Sequence, residues 1–449
     1  MAKIGFVGFG EVNTPVGVII ERCGIAAEEL EKEGLELVKV FPVADDYEEV
    51  QVNDAIAKLK QESFEALVLC VAGWIPTHAV IKISEHFRHL PVVLWGLCGW
   101  MEGDKLVTTA DQAGTSGLRG TLEDMGYTFK YVYNTVGLPS RAPKVASYCK
   151  AAIAAKNMRH ARAGMAGYRD MNLYGTLYDG CSLKKVVGPE IETFEMLEMQ
   201  QRYEKLDPAS VTDVVENRIK KWHFVSPAQE EGMRMAAGYY LAVKQIAEER
   251  GFKAISIKDV DGMKKLIGFP PAPIFMLLQE DGYLTVPEND SMGCVTLMLM
   301  QELVGQTPFY LEFYEFFEKT VLAGVPDYVP SQVVDGEVTV MPAAFGELNE
   351  GILNISKVKP GMVTMCRLLY KKGKYVMHMV YGKGNPPRKW NEYGWADPAP
   401  QLPSLEIELP SVEDFAQKVG CQHYIITYGD NRALIRDFCA IRNIPVMES

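Results

Sequence analysis

Five short apolar runs punctuate the first part of the chain, and each is followed by a helical pattern. The runs are Ile4–Gly8, Leu37–Phe41, Ala66–Val71, Val92–Trp95 and Lys130–Val136. The helical patterns are Val16–Lys32, Glu48–Gln61, Ala79–Arg88, Ser116–Met125 and Pro143–Arg159. Strands apolar on both faces must be covered on both, and a parallel pair needs a crossover long enough to hold a helix. The alternation therefore predicts a parallel sheet sandwiched by helices. Ligands of such sheets sit at the carboxyl ends of the strands. Here those ends are Gly8 to Asn13, Ala72 to His78 and Gly96 to Gly99, which makes Asn13 and His78 candidate binding residues. Gly5-Phe6-Val7-Gly8-Phe9-Gly10 is spaced GxxGxG and is followed by Glu11 and Asn13. That departs from the dinucleotide fingerprint, so it reads as a glycine-rich turn.

A second α/β stretch begins near Arg162. Gly164–Arg169, Glu190–Phe194 and Ala254–Lys258 read as strands, and Val211–Trp222 and Ala228–Arg250 as amphipathic helices. Ile274–Leu278 and Tyr283–Val286 read as a β-like run ending at Pro287. Asp290 or Ser291 can then cap a helix that Gly305 ends. Its interior, Cys294, Val295, Leu297, Met298, Leu299, Met300 and Leu303, is apolar on most faces, so the helix is expected to be buried. Beyond Gly305 strand-like and turn-rich segments dominate: Gly336–Val340, Met362–Tyr370, Tyr375–Tyr381 and Leu405–Leu409. The chain closes with helices Val412–Val419 and Arg432–Cys439 around the strand His423–Tyr428. The expected class is α/β: two Rossmann-like parallel-sheet domains, 1–161 and 162–304, then a mostly antiparallel β-rich domain, 305–449.

The 449 residues suffice for several domains. Net charge is -12, with no basic stripe to offset it, which argues against a nucleic-acid partner. Nine cysteines are scattered with no CxxC pair, many in apolar runs such as Ala66–Val71. They read as reduced thiols of a cytoplasmic protein. The start, Met1-Ala2-Lys3-Ile4-Gly5, lacks the features of a signal peptide, and no uncharged apolar window is long enough to span a membrane.

Glu288 follows Pro287 at a strand-to-helix corner beside a buried element, where α/β folds place catalytic side chains. Glu312 lies in the apolar run Thr307–Phe313, where an unpaired charge costs several kcal/mol. Of seven histidines, His86, His89, His160 and His223 fall beside polar or basic residues and read as surface. His378 alternates within a β pattern and reads as a satisfied or exposed histidine, while His423 opens an apolar strand next to Gln422. Two buried carboxylates and an imidazole suit a divalent cation such as Mn²⁺. Spacing alone leaves open that each acid has its own Arg or Lys partner.

These residues resemble the metal-dependent L-fucose isomerases, with L-arabinose isomerases as more distant relatives. The family motif Thr-Glu-Asn-Asp-Ser-x-x-Gly-Val is similar to Pro287-Glu288-Asn289-Asp290-Ser291-Met292-Gly293-Cys294-Val295, with the glycine shifted by one place. The family's next metal-binding carboxylate, an Asp, falls at the spacing of Glu312. The late motif Asn-His-Gly-Val-x-x-x-Gly-His resembles Gln422-His423-Tyr424-Ile425-Ile426-Thr427-Tyr428-Gly429-Asp430, and Arg-Ile-Pro-Val resembles Asn443-Ile444-Pro445-Val446. The resemblance implies metal ligands Glu288, Glu312 and His423, with the two carboxylates as the acid–base pair. It also implies Mn²⁺ (Mg²⁺ or Co²⁺ as alternatives), sugar contacts from Gln422 and Trp74, and a homo-oligomer, a hexamer. Trp74 resembles a tryptophan that caps the sugar from a neighbouring subunit. Departures are Glu for Asp at 312, Gln for Asn at 422, Tyr424 for Gly, and Ala344 about where the family has a pocket serine. They fall at pocket positions and bear on which sugar fits. L-fucose or D-arabinose types and 6-substituted hexoses such as sulfoquinovose are the candidates; Arg169, Lys258 and Arg388 could meet an anionic tail, although surface salt bridges are the favoured role for each. The expected activity is aldose–ketose isomerisation through a cis-enediol. The alternatives are another metal-dependent sugar enzyme, such as an epimerase, and a non-catalytic sugar-binding or regulatory protein.

Overall fold

A computed structural model describes residues 2–325, 328–343, 351–390 and 403–449. Ala344 lies outside them. The chain divides into two compact units, Met1–Lys156 and Asn157–Ser449.

In the first unit, strands and helices alternate as β1 (Lys3–Phe9), α1 (Val16–Lys32), β2 (Glu36–Val43), α2 (Val50–Lys60), β3 (Leu67–Val71), α3 (Thr77–Ser84), β4 (Val92–Gly96), α4 (Asp111–Asp124), β5 (Phe129–Tyr133) and α5 (Ala142–His160). These five strands are parallel, in the order β2-β1-β3-β4-β5, and a short antiparallel pair, Trp100–Glu102 with Lys105–Val107, lies between β4 and α4. The central strands are buried on both faces, as their unbroken apolar runs require; Phe6, Leu69 and Trp95 have no exposed surface. The order reverses between β1 and β3, which opens a crevice at their carboxyl ends.

The second unit starts with another parallel sheet. Among its elements are β6 (Arg162–Ala166), β7 (Glu190–Phe194), α6 (Glu230–Arg250), β8 (Ala254–Ile257), α7 (Ala272–Glu280), β9 (Leu284–Val286) and α8 (Ser291–Val304). The strand order is β9-β8-β6-β7. Ile274–Leu278, expected as strand, lies inside helix α7. An unbroken apolar run carries no period, so strand and buried helix look alike. Pro271 and Pro273 at its head favour a helix start, and all of Phe275–Leu278 is buried.

The β-rich region follows as β10 (Phe309–Phe316), β11 (Thr320–Gly324), β12 (Gly361–Lys371), β13 (Lys374–Asn385), β14 (Ser404–Glu408) and β15 (His423–Tyr428). These strands pair antiparallel in the order β12-β15-β10-β11-β14-β13, and β13 returns to β12. The sheet thus closes on itself and leaves none of these six as a free edge. Helix α9 (Arg432–Arg442) follows, and β16 (Val446–Glu448) adds to β13 in parallel. Phe309, Leu311, Val363, Met365, Tyr424 and Ile426 fill the barrel. The two-residue period then turns Tyr310, Glu312 and His423 to its outer face. Helix α8 packs there, between β12 and β15 on one side and β8 and β9 on the other. Being covered from both sides explains why it is apolar nearly all round.

His378, in β13, is a satisfied core histidine. Its Nδ1 meets the Tyr424 hydroxyl at 2.5 Å and its Nε2 meets Ser449 Oγ at 3.1 Å. Burial, then the Lys371 and Lys418 charges, push the imidazole down to about 4 from its usual 6.5. The unfolded chain takes up this proton at a higher pH than the folded chain does. This contribution to stability is complete above about pH 6.5 and is lost as pH falls toward 4, by at most about 1.4 kcal/mol per unit. Urea unfolding followed from about pH 7.5 to about pH 4.5 should show the loss, and His378→Gln should reduce the slope.

Candidate metal centre

The centre is built on the corner between β9 and α8. Glu288 and Asn289 hold φ of 62° and 48° there, in the left-handed region. For residues other than glycine this costs about 1 kcal/mol or more each, so surrounding contacts must hold them. The Asn289 carboxamide is one such contact. Its Nδ2 donates to the carbonyls of Ala166, Gly167 and Tyr168 at 3.0, 2.8 and 2.9 Å. The corner is thereby pinned to the carboxyl end of β6.

Asp290 is the second anchor. It caps α8, with Oδ1 accepting the Gly293 N–H at 3.0 Å. Arg367, from β12, donates to both its oxygens at 2.5 and 2.6 Å, and the Tyr310 hydroxyl donates to Oδ2 at 2.9 Å. Neither Asp290 nor Arg367 has any exposed side-chain surface. Burial would raise the Asp290 carboxyl, but the Arg367 charge and its hydrogen bonds outweigh burial and hold it below the ordinary range. A Cβ on Gly293 would come within 2.5 Å of Asp290 Oδ2 and 2.8 Å of Arg367 Nη1, so this turn accepts only glycine.

Glu312 and His423 stand directly opposite on β10 and β15. Opposed residues share one face of a sheet. His423 Nε2 lies 3.7 Å from Glu312 Oε1 and 3.8 Å from Glu288 Oε2. The three residues expected from the sequence therefore converge on one point. The His423 ring stacks on Tyr310, centroids 4.5 Å apart. Burial pushes its imidazole down to about 3, so at neutral pH it is uncharged and offers a lone pair. Its side chain is 4% exposed, whereas those of Glu288 and Glu312 keep 17% and 22%. The donors thus open to solvent on the carboxylate side. A neutral imidazole and two carboxylates with one open side fit a hard or borderline divalent cation. Asp290, Cys421 and His423 also bring one ligand atom each within 4.8 Å of one another. That trio is the poorer cage, because both Asp290 oxygens already accept hydrogen bonds and burial raises the Cys421 thiol.

The remaining sequence candidates divide between the units. Gln422 is half-buried beside His423, and its carbonyl accepts the Phe313 N–H at 3.0 Å. Asn13, Trp74 and His78 belong to the first unit. Asn13 is exposed and donates to Glu11 at 3.3 Å; Trp74 is 38% exposed; His78 is exposed in the first turn of α3. Arg169 donates to Asn172 at 3.2 Å, Lys258 faces Asp261 at 4.0 Å, and Arg388 donates to Glu406 at 2.9 Å. Sequence reasoning missed Arg367, Tyr310 and the clamp made by Asn289. Arg367 had a signal: a cation in the apolar strand Met362–Tyr370, of the same kind that singled out Glu312.

No model of a known protein family matches the chain, and no curated protein matches it. Among solved structures, the periplasmic sugar-binding protein of an ABC sugar transporter from Legionella pneumophila aligns at 9% identity and TM-score 0.19, covering 68% of this chain and 97% of its own. A periplasmic solute-binding protein of an ABC transporter from Actinobacillus succinogenes, with bound D-allose, aligns at 15% identity and TM-score 0.16, covering 68% and 93%. Scores this low carry no argument about the ligand of this chain. No helix among the described residues is long and apolar enough to cross a membrane.

Removing Arg367 would strand a buried carboxylate. Arg367→Met should cost about 3–5 kcal/mol in chemical denaturation, and adding Asp290→Asn should recover part of it.

Proposed function

We propose that this chain is a metal-dependent aldose–ketose isomerase that moves a proton between C2 and C1 of a sugar through a cis-enediol. The observation that carries this reading is the approach of Glu288 and Glu312 to one neutral imidazole, within 3.8 and 3.7 Å of His423 Nε2. A divalent cation, Mn²⁺ with Mg²⁺ or Co²⁺ as alternatives, would be held by Glu288, Glu312 and His423 and, when bound, would supply Lewis-acid polarisation of the sugar's O1 and O2.

The chain's own residues do the rest. Glu288 and Glu312 are the acid–base pair: one carboxylate accepts the C2 proton and returns it to C1, while the other passes the O2 hydroxyl proton to O1, so both end as they began. Positioned acid–base transfer of this kind contributes about 10²–10⁴-fold in rate. His423 stays neutral throughout, because charging it at this depth is unfavourable. The Arg367–Asp290 pair and the Asn289 clamp keep Glu288 aimed, so its carboxylate needs little reorganisation. Gln422, next to His423, hydrogen-bonds a sugar hydroxyl. Trp74 stacks on the sugar from a neighbouring copy, which makes the working form a homo-oligomer. The substrate class is L-fucose or D-arabinose type, or a 6-substituted hexose such as sulfoquinovose.

A panel of aldoses incubated with Mn²⁺ and assayed for ketose tests the reading. Ketose should form, EDTA should abolish it, and Mn²⁺ should restore it. Glu288→Gln should lower kcat by about 10²–10⁴-fold while the melting temperature stays close to that of the parent. Turnover that survives EDTA would overturn the metal reading. A protein that binds Mn²⁺ yet converts none of the aldoses would instead be a non-catalytic sugar-binding or regulatory protein.

A further inference from the structure

At the carboxyl edge of the second parallel sheet the acids are answered and two cations are not. Asp170 is buried and accepts the N–H groups of Met171, Val260 and Asp261 at 3.1, 2.8 and 2.9 Å. Asp259 faces Lys264 at 3.2 Å, and Asp261 takes Lys265 at 2.8 Å and the Met171 N–H at 2.9 Å. Arg169 has no ion pair among the described residues. Its Nη2 donates to Asn172 Oδ1 at 3.2 Å, and its guanidinium lies over the Tyr174 ring at 5.0 Å. Its Nε is enclosed, whereas Nη1 bonds to nothing among the described residues and is not enclosed, so a solute can reach it. Lys258 Nζ stands 4.0 Å from Asp261 Oδ2, beyond hydrogen-bond reach, and its side chain is 29% exposed.

Both cations border the Glu288 corner. Ser256 and Val286 are in register on β8 and β9, so Lys258 and Glu288 each stand two residues beyond that pair. Asn289 Nδ2 holds the carbonyls of Gly167 and Tyr168, and Arg169 is the next residue. A Cβ on Gly167 would lie 3.2 Å from Lys258 Cβ, so the Lys258 stem passes over the same turn. Further on, the Gly175 carbonyl accepts from Arg367 Nη2 at 3.5 Å, and a Cβ on Gly175 would lie 3.4 Å from Cys421 Sγ, two residues before His423. Residues 167–175 thus run from the Glu288 corner to the head of the His423 strand, along the rim of the centre. A guanidinium held there by a ring and an amide, open to solvent and without a carboxylate, is arranged to meet an anion. Its fork matches two oxygens of a phosphate, sulfonate or carboxylate, and the neighbouring ammonium adds a point charge.

Resting on the isomerase reading above, we propose that the substrate is an anionic aldose, whose charged group, at the end remote from the carbonyl, is received by Arg169 and Lys258. The probes are the borohydride-reduced alditols of D-glucose 6-phosphate, D-arabinose 5-phosphate, D-glucuronate and sulfoquinovose, which have no carbonyl to isomerise. Each is titrated calorimetrically into the full-length protein in Mn²⁺, beside the alditol of its neutral parent, D-glucose or D-arabinose. At least one should bind about tenfold or more tighter than its neutral parent, the gain expected for hydrogen bonds to a charged group. Which one does so identifies the tail as phosphate, carboxylate or sulfonate. Arg169→Gln should remove the advantage, and Arg169→Lys, which keeps the charge without the fork, should keep part of it. If Arg169→Gln fails to fold, Lys258→Met carries the test and should reduce the advantage severalfold. No advantage for any of the four, or an advantage that these variants leave intact, would overturn the proposal. Assay of the unreduced sugars for ketose separates it from the reading it rests on. Conversion of neutral aldoses with no anionic advantage would overturn this proposal alone. An Arg169-dependent advantage with no ketose from any sugar would uphold the anion site and overturn the isomerase reading.

Discussion

The buried pair of Asp290 and Arg367 is the interaction on which the rest of the second unit depends. Taking both charges out of water costs several kcal/mol per ion, and only good geometry with every lone pair engaged offsets it. Here the guanidinium meets both carboxylate oxygens, the Tyr310 hydroxyl donates to one, and the Gly293 N–H donates to the other. These partners come from β12, β10 and α8. The pair therefore ties the first turn of α8 to two barrel strands. Glu288 stands two residues earlier on the same short corner, so the geometry that satisfies the pair also sets where its carboxylate can reach.

The centre is assembled on strands and a pinned corner, which hold side chains more closely than long loops do. Barrel closure supplies the frame. Because side chains alternate across a strand, Phe309 and Leu311 fill the barrel while Tyr310 and Glu312 face outward. Antiparallel register then sets His423 opposite Glu312 without any further device. Helix α8 covers this outer face and excludes water from His423, which keeps the imidazole neutral. One packing arrangement thus settles both the position and the protonation state of His423.

Much of this was legible before any coordinates. The five parallel strands of the first unit and the five α-helices between and after them fall within a few residues of the runs that mark them, because the strands are apolar on both faces and the helices are amphipathic. The cap at Asp290, the stop at Gly305 and the buried character of the helix between them were also readable, each from a local rule. Glu312 and His423 stood out as polar groups in apolar strands. Ile274–Leu278 misled because its residues are apolar throughout, and a run without a period cannot distinguish a strand from an enclosed helix. Arg367 went unnoticed although it broke an apolar strand just as Glu312 did.

By itself the amino-acid order determined which segments become strands or helices, which of their faces are apolar, and which few polar residues sit where solvent is excluded. These are near-neighbour properties, set by side-chain period and backbone preference. Tertiary structure alone decided that Glu288, Glu312 and His423 meet and that Arg367 answers Asp290. Those outcomes depend on strand register and on how a closed sheet packs against a helix. Both are set by contacts between residues far apart in the chain, and no local pattern records them.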